Sequence, residues 1–171
     1  MILRWLFGPT EEGPKTATEE LRELVARSMP QADAVDAAVV FATAGLLAAV
    51  AHADRAYTQS ERETVHSALS RMHGLGDGSV EAICALLEEH LDELAHESIQ
   101  TYTRILYEHV ERGARLEVLE VLLELGASDD NLSIEETNLL RRIASGLGLS
   151  QEEYLALQHQ HRKRLSVLTD K

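Results

Sequence analysis

The chain contains one acidic pattern twice, as Asp-Arg-Ala-Tyr-Thr-Gln-Ser-Glu at residues 54–61 and as Asp-Asp-Asn-Leu-Ser-Ile-Glu-Glu at residues 129–136. Both copies have the spacing Asp-x3-Ser/Thr-x2-Glu, and each lies between a long apolar segment and another helical pattern. Chance alone would supply roughly 0.1 such patterns in a chain of this composition. The repeat therefore predicts an internal duplication, with two pseudo-symmetric halves at about residues 35–95 and 98–167.

The hydroxyl and the glutamate of each copy predict the start of a helix. Thr58 with Glu61, and Ser133 with Glu136, have the spacing of a capping box. In a capping box the hydroxyl accepts a hydrogen bond from the amide three residues later, and the glutamate accepts one from the amide of the capping residue. The positive end of the helix dipole also stabilises a carboxylate at this place.

The aspartate of each copy is not needed for capping. Ser150 and Glu153 form a third box of the same spacing, and Gly146 occupies the position of the aspartate there. Asp54 and Asp129 would lie at the ends of the preceding helices, where a carboxylate is unfavourable beside the negative end of the dipole. A bound cation would offset that charge. Two interpretations remain open: the acids only terminate and cap helices, or they also bind a cation.

The rest of the chain predicts a single all-α domain. A length of 171 residues suits one domain, and 44% hydrophobic residues with few aromatic rings are typical of helices packed on helices. No segment has the alternation of a strand. A tail is predicted at residues 1–17, followed by a bundle of about seven to eight helices at residues 18–171, with Gly113 separating the fifth from the sixth. The helices are expected at about residues 18–29, 32–53, 60–73, 79–95, 98–111, 114–125, 135–147 and 151–167.

Two apolar segments indicate how the protein could contact a membrane, and its single cysteine bears on the compartment in which it is located. Residues 37–51 form the longest uncharged segment, which is shorter than the roughly 18 residues that span a bilayer, so a buried central helix and no integral membrane segment are expected. Residues 1–7 could contact a membrane surface through Trp5 and Phe7 or fold back onto the domain. They are too short for the core of a secretory signal. The single cysteine, Cys84, fits a reducing compartment, and a cytoplasmic location is expected.

The net charge of −13 limits the classes of partner. It disfavours nucleic acid, because binding depends on neutralising phosphates with basic residues. It favours cations or a protein partner with a basic surface.

The sequence offers little for catalysis. No Gly-rich phosphate loop, nucleophile elbow or Cys-x-x-Cys motif is present, so no catalytic residues are predicted and the protein is not expected to be an enzyme. Glu63-x-x-His66 and Glu93-x-x-His96 have the spacing found in di-metal helical bundles, which makes a di-metal enzyme an alternative. About one such pair is expected by chance. His52 could join a metal site or stabilise the end of its helix as a cation.

Further residues around the two copies carry a resemblance to a known family. They are Ala51-His52-Ala53-Asp54 with Thr58 and Glu61; Asp129, Ser133 and Glu135-Glu136; Leu139-Leu140-Arg141-Arg142-Ile143-Ala144; and Leu147-Gly148-Leu149-Ser150 with Tyr154. Over about residues 35–165 the chain resembles the bacterial TerB (tellurite resistance protein B) family, and it is similar to the related N-terminal domain of a DnaJ-like co-chaperone. The resemblance implies an all-α fold of two pseudo-symmetric halves with an acidic, metal-binding face, and a role in tellurite resistance or stress.

The second acidic copy is expected to be the better cation site. It offers the carboxylates of Asp129, Asp130, Glu135 and Glu136, with Asn131 as a neutral oxygen ligand. The first copy offers only Asp54 and Glu61. Members of the family usually have Gly after the Asp, whereas this chain has Asp130 in the second copy and the permanent positive charge of Arg55 in the first. The identity of a divalent cation does not follow from the sequence.

Overall fold

The structure is a computed structural model that describes residues 14–53, 55–97, 99–127 and 132–169, with side chains as far as residue 163. Within these residues it contains nine helices and no strand, which confirms the all-α prediction. Predicted and observed helix ends agree within about two residues for most of the helices. The helices are α1 (Ala17–Ser28), α2 (Ala34–His52), α3 (Gln59–Ser70), α4 (Asp77–Glu89), α5 (Leu91–His96), α6 (Ile99–His109), α7 (Arg112–Gly126), α8 (Ile134–Gly146) and α9 (Gln151–Thr169).

Helix α2 is the centre of the bundle. Every residue from Val40 to Ala51 is buried, and α2 contacts each other helix from α1 to α8. By length and hydropathy α2 could also span a membrane, but 67% of its apolar window is buried inside the fold. A helix that is apolar all round is stabilised when neighbouring helices cover every face, as they do here. The prediction of a buried central helix is confirmed.

A glycine brings α6 close to α2. The ring of Tyr102 on α6 is fully buried and packs edge-on against Phe41, with ring centroids 5.5 Å apart. A Cβ atom on Gly45 would lie 2.4 Å from this ring, far inside van der Waals contact. The absent side chain of Gly45 therefore provides the space for one of the largest residues of the core.

The helix predicted at residues 79–95 is two helices in the structure. His90, with φ −117° and ψ 24°, ends α4 and precedes α5. Helix α4 packs against α1 and α3, whereas α5 lies mainly against α2, where Leu94 is fully buried. The prediction of one helix was wrong because a straight helix cannot follow both sets of partners, and neither Gly nor Pro marks the break.

Two other boundaries also differ from the expectation. Gly113 does not separate two helices, because Glu111 is the N-cap of α7 and Gly113 lies in the first turn. The first helix begins at Ala17, which is 2% exposed and belongs to the core, so the helical bundle starts one residue before the predicted boundary at residue 18. Residues 1–13, which carry the expected membrane-contacting segment, lie outside the described residues.

Candidate functional site

The two acidic copies follow α2 and α7, whose ends lie next to each other. Val50 is in the last turn of α2, and Gly126 is the last residue of α7. A Cβ atom on Gly126 would be 3.6 Å from Cγ1 of Val50 and 2.9 Å from Cδ2 of Leu132. The two acidic segments therefore leave the core from neighbouring points, at one end of the bundle.

The capping box of the first copy is formed as predicted. The amide of Thr58 donates to Oε2 of Glu61 at 2.7 Å, and the amide of Glu61 donates to Oγ1 of Thr58 at 3.2 Å. The Thr58 hydroxyl also donates to Oε2 of Glu61, at 3.0 Å. Glu61 is 2% exposed, so the box holds its carboxylate inside the protein surface.

The second copy has the same local geometry. The amide of Ser133 donates to Oε2 of Glu136 at 2.7 Å, and the amide of Glu136 donates to Oγ of Ser133 at 3.1 Å. Glu136 is 3% exposed. The boxes of both copies are therefore confirmed, and the capping role of Glu61 and Glu136 is established whether or not a cation binds.

Two further capping boxes start α1 and α9. The predicted box of Ser150 and Glu153 is present, with amide-to-side-chain distances of 2.7 and 3.2 Å. Thr16 and Glu19 form another box, which the sequence reasoning missed although its Thr-x-x-Glu spacing is visible. No aspartate occurs four residues before Thr16, where the sequence has Glu12.

The expected metal ligands are described only in part. Asp54, Asp129 and Asp130 lie outside the described residues, Glu135 is exposed, and Glu61 and Glu136 are buried in their boxes. Among the residues that the structure does describe, no group of three or more His, Cys, Asp or Glu side chains is arranged to hold a metal ion. Cation binding at the acidic copies therefore remains a prediction.

A cavity of about 460 Å³ opens beside the first copy. His52, the last residue of α2, has Nε2 at 2.9 Å from Oδ1 of Asp92, and His96 has Nδ1 at 2.6 Å from the backbone oxygen of Asp92. The two imidazole rings are 5.7 Å apart, at an interplanar angle of 62°. Leu91, Arg55 and Tyr57 complete the lining. The pairing of His52 with Asp92 was not predicted, because the two residues lie far apart in the sequence.

A second cavity of about 390 Å³ lies between α3 and α4. On its walls, Arg62 pairs with Glu88 at 2.7 Å and His66 with Glu81 at 2.9 Å. Burial, with the nearby charges of Glu81 and Glu88, raises the pKa of the half-buried Cys84 thiol to about 11. The thiol is therefore protonated at neutral pH and is a weak nucleophile.

Tyr57 lines both cavities. Burial raises the pKa of its phenol to about 12, with smaller contributions from Cys84 and nearby glutamates. The guanidinium of Arg62 lies over the ring, 5.2 Å from its centroid. Close by, Arg55 has φ 64°, a left-handed conformation that costs free energy for a residue with a side chain. The side chain of Arg55 lines the first cavity.

The two Glu-x-x-His pairs are not brought together. His66 lines the second cavity and pairs with Glu81, whereas His96 lines the first cavity and contacts Asp92. Glu93 is exposed on α5 and lines neither cavity. The described residues therefore give the di-metal interpretation no support.

The comparison that matches this chain covers most of the bundle, from α2 to α9. A family model described as "Tellurite resistance protein TerB" matches residues 40–159, from within α2 to within α9, and includes both acidic copies. Searches of curated proteins and of solved structures found no match. Because the family model covers more than half of the sequence, the chain belongs to the tellurite resistance protein TerB family.

Proposed function

We propose that the protein is a cytoplasmic, non-catalytic member of its family that serves in tellurite resistance or stress by binding a divalent cation at the second acidic copy. The observation that carries the proposal is the proximity of Val50 and Gly126. Because α2 and α7 end side by side, the negative ends of two helix dipoles lie close together, and in the sequence the acids of both copies directly follow these ends. A divalent cation would reduce the repulsion between these charges.

The chemistry of the second copy suits a hard cation. Asp129, Asp130 and Glu135 would supply carboxylate oxygens, with Asn131 as a neutral ligand, and oxygen ligands are those that calcium and magnesium prefer. Glu136 is held by its box at the base of this segment. Its Oε2 already accepts the Ser133 amide, so the aspartates are the ligands that we expect to dominate.

The first copy is the weaker candidate. Arg55 directly follows Asp54, and its permanent charge would repel a cation. His52 is already paired with Asp92. Arg55 also lines a cavity that contains two histidines, so this copy is surrounded by cationic and titratable side chains rather than by carboxylates alone.

Thermal unfolding tests the proposal. We expect calcium, magnesium, manganese or zinc at millimolar concentration to raise the melting temperature of the wild type by a few degrees. A shift of this size corresponds to a weak site with a Kd of about 10⁻⁴ to 10⁻³ M. Sodium chloride of matched ionic strength is the control for general charge screening. Asp129→Asn should remove most of the ion-dependent shift, and Asp54→Asn should leave it unchanged, while both variants keep their capping boxes.

Loss of the ion-dependent shift in Asp54→Asn, with the shift retained in Asp129→Asn, would show that the first copy is the site. If no divalent ion shifts the melting temperature of the wild type beyond the sodium chloride control, cation binding is excluded and the acids act as caps and surface charges only.

A second candidate function is a protein-interaction module without bound cation. Ile134, directly after the cap of α8, is 76% exposed, and the corresponding residue of the first copy is Gln59. An exposed isoleucine among carboxylates would suit a partner with apolar and basic residues. Absence of any ion-dependent shift would favour this function. Ile134→Ser should then weaken capture of a partner without lowering the melting temperature.

A further inference from the structure

A fully buried tyrosine of α9 faces an arginine of α8. Tyr154, near the start of α9, belongs to the core and exposes none of its surface. Its phenolic oxygen is buried as well, and no described residue forms a hydrogen bond with it. Buried hydroxyl groups in proteins almost always have a hydrogen-bond partner, because an unpaired one is unfavourable. This hydroxyl is therefore a candidate contact for a ligand.

Two arginines act on the hydroxyl. The guanidinium of Arg141, on α8, lies over the tyrosine ring, 5.9 Å from its centroid. Burial raises the pKa of the Tyr154 phenol, whereas the positive charges of Arg141 and of Arg162 on α9 lower it. Both guanidinium groups are therefore near the phenolic oxygen, although no hydrogen bond with either one has an acceptable geometry.

The groups around the hydroxyl are donors of hydrogen bonds. An arginine side chain can only donate, and the tyrosine hydroxyl has a proton to donate. Arg62, Arg104 and Arg112 each pair with a glutamate. Neither Arg141 nor Arg162 forms an ion pair with a carboxylate of the described residues. The two arginines therefore give this place a positive charge within an acidic protein.

We propose that a small oxyanion of the phosphate type binds at Arg141, Arg162 and the Tyr154 hydroxyl. A phosphate group offers several acceptor oxygens, and guanidinium groups bind it through paired, charge-assisted hydrogen bonds. One further oxygen would accept the hydroxyl proton of Tyr154. The exposed side chain of Arg141, which lies over the ring, would shift to admit the ion, as surface side chains do within nanoseconds.

The negative charge of the rest of the protein limits the affinity. At physiological ionic strength, exposed charges more than about 8 Å from the ion are largely screened, so the two arginines dominate the local field. We therefore expect weak binding that is detected at millimolar phosphate. The site consists of residues of α8 and α9, so the proposal does not depend on cation binding at the second acidic copy.

A phosphate titration tests the proposal. Inorganic phosphate is added to the full-length protein at neutral pH, with sodium chloride of equal ionic strength as the control. In heteronuclear NMR we expect saturable amide shifts centred on Arg141, Tyr154 and Arg162, and in thermal unfolding a higher melting temperature. A parallel titration with glycerol 3-phosphate compares an inorganic ion with a phosphate ester, and tighter binding of either supports the site and identifies the source of the phosphate.

Tyr154→Phe separates the hydroxyl from the rest of the core. The variant keeps the buried ring and loses an unpaired hydroxyl, so without phosphate its stability should equal or exceed that of the wild type. Its phosphate affinity should fall about tenfold, because hydrogen bonds to charged groups are among the stronger ones. A purely structural role of the hydroxyl would instead lower the stability and leave the affinity unchanged.

Charge-matched double variants test the arginines. Arg141→Gln with Arg162→Gln should abolish the saturable shifts. Arg27→Gln with Arg71→Gln changes the net charge equally at exposed positions on α1 and at the end of α3, and should alter the affinity by less than about twofold. Circular dichroism verifies that both double variants are folded.

Three results would overturn the proposal. They are a phosphate response of the wild type no larger than the response to sodium chloride, an unchanged phosphate affinity in Tyr154→Phe, and equal weakening in the two double variants. Equal weakening would show that phosphate responds only to the net charge of the protein.

Discussion

At the scale of single residues, the same glutamates that mark the acidic pattern are mostly hidden from solvent. Glu61 and Glu136 are 2% and 3% exposed, yet each accepts a hydrogen bond from the amide of its capping residue. A buried carboxylate is tolerated when such donors replace water. The glutamates are therefore structural first, and any ligand chemistry of the two copies depends mainly on the aspartates.

Removal of the Ser133 hydroxyl should destabilise the protein. Ser133→Ala leaves the amide of Glu136 without its side-chain acceptor, and we expect a loss of about 1 kcal/mol in the free energy of unfolding. Urea denaturation in metal-free buffer measures the change. Ser67→Ala, at an exposed position within α3, is the control and should be neutral or slightly stabilising. An unchanged midpoint for Ser133→Ala would show that the hydroxyl contributes nothing.

The Cys84 thiol should make stability depend on alkaline pH. Its pKa rises from 9.0 in the unfolded chain to about 11 in the fold, so the unfolded state loses its proton first. This contribution to stability is complete below pH 9 and is lost as the pH rises through 11. Urea denaturation of the wild type and Cys84→Ala between pH 8 and pH 10 measures it, and we expect a shallower decline in the variant. Parallel declines would contradict the expectation.

At the scale of elements, α2 shows how composition and close packing act together. Its apolar middle makes burial favourable on every side, but close approach of α6 also requires a residue without a side chain at Gly45. Helices α4 and α5 show that composition alone does not predict where a helix breaks. Their apolar residues continue one helical pattern, and the break at His90 follows from the different neighbours of the two segments.

A methyl group at Gly45 should be costly, whereas one at Gly113 should not. Gly45→Ala would place a Cβ atom 2.4 Å from the ring of Tyr102, and we expect a loss of about 1–3 kcal/mol from overpacking. Gly113 is helical and has no atom within 4 Å of an added Cβ, so Gly113→Ala should stabilise the protein by up to about 1 kcal/mol. Chemical denaturation of both variants tests this contrast. Equal effects would show that the contact with Tyr102 relaxes at little cost.

At the scale of the whole molecule, the two halves show corresponding burial. Val65, Ala68 and Leu69 on α3 are buried, and so are Leu140, Ile143 and Ala144, the residues 75 positions later on α8. We expect α2 with α3 to superpose on α7 with α8. Superposition of their backbone atoms is the measurement, and unrelated angles between the helices of the two pairs would disprove the duplication.

Much of the fold could be predicted because its causes are local. The capping boxes at Thr58, Ser133 and Ser150 depend on residues three positions apart, so their spacing alone predicts where α3, α8 and α9 begin. The burial of α2 from Val40 to Ala51 follows from the uncharged, apolar composition of residues 37–51. These features and the repeated acidic pattern led from the sequence to the correct family and an all-α fold.

The surroundings of the candidate sites were decided by the tertiary structure. Val50 meets Gly126, His52 meets Asp92, and Tyr57 comes to line two cavities only after distant helices have packed. No local spacing encodes such contacts, because they depend on which helix faces which neighbour and at what angle. The sequence by itself determined where helices start and which one is buried, whereas packing determined that the helices before the two acidic copies end side by side and that a cavity opens beside the first copy.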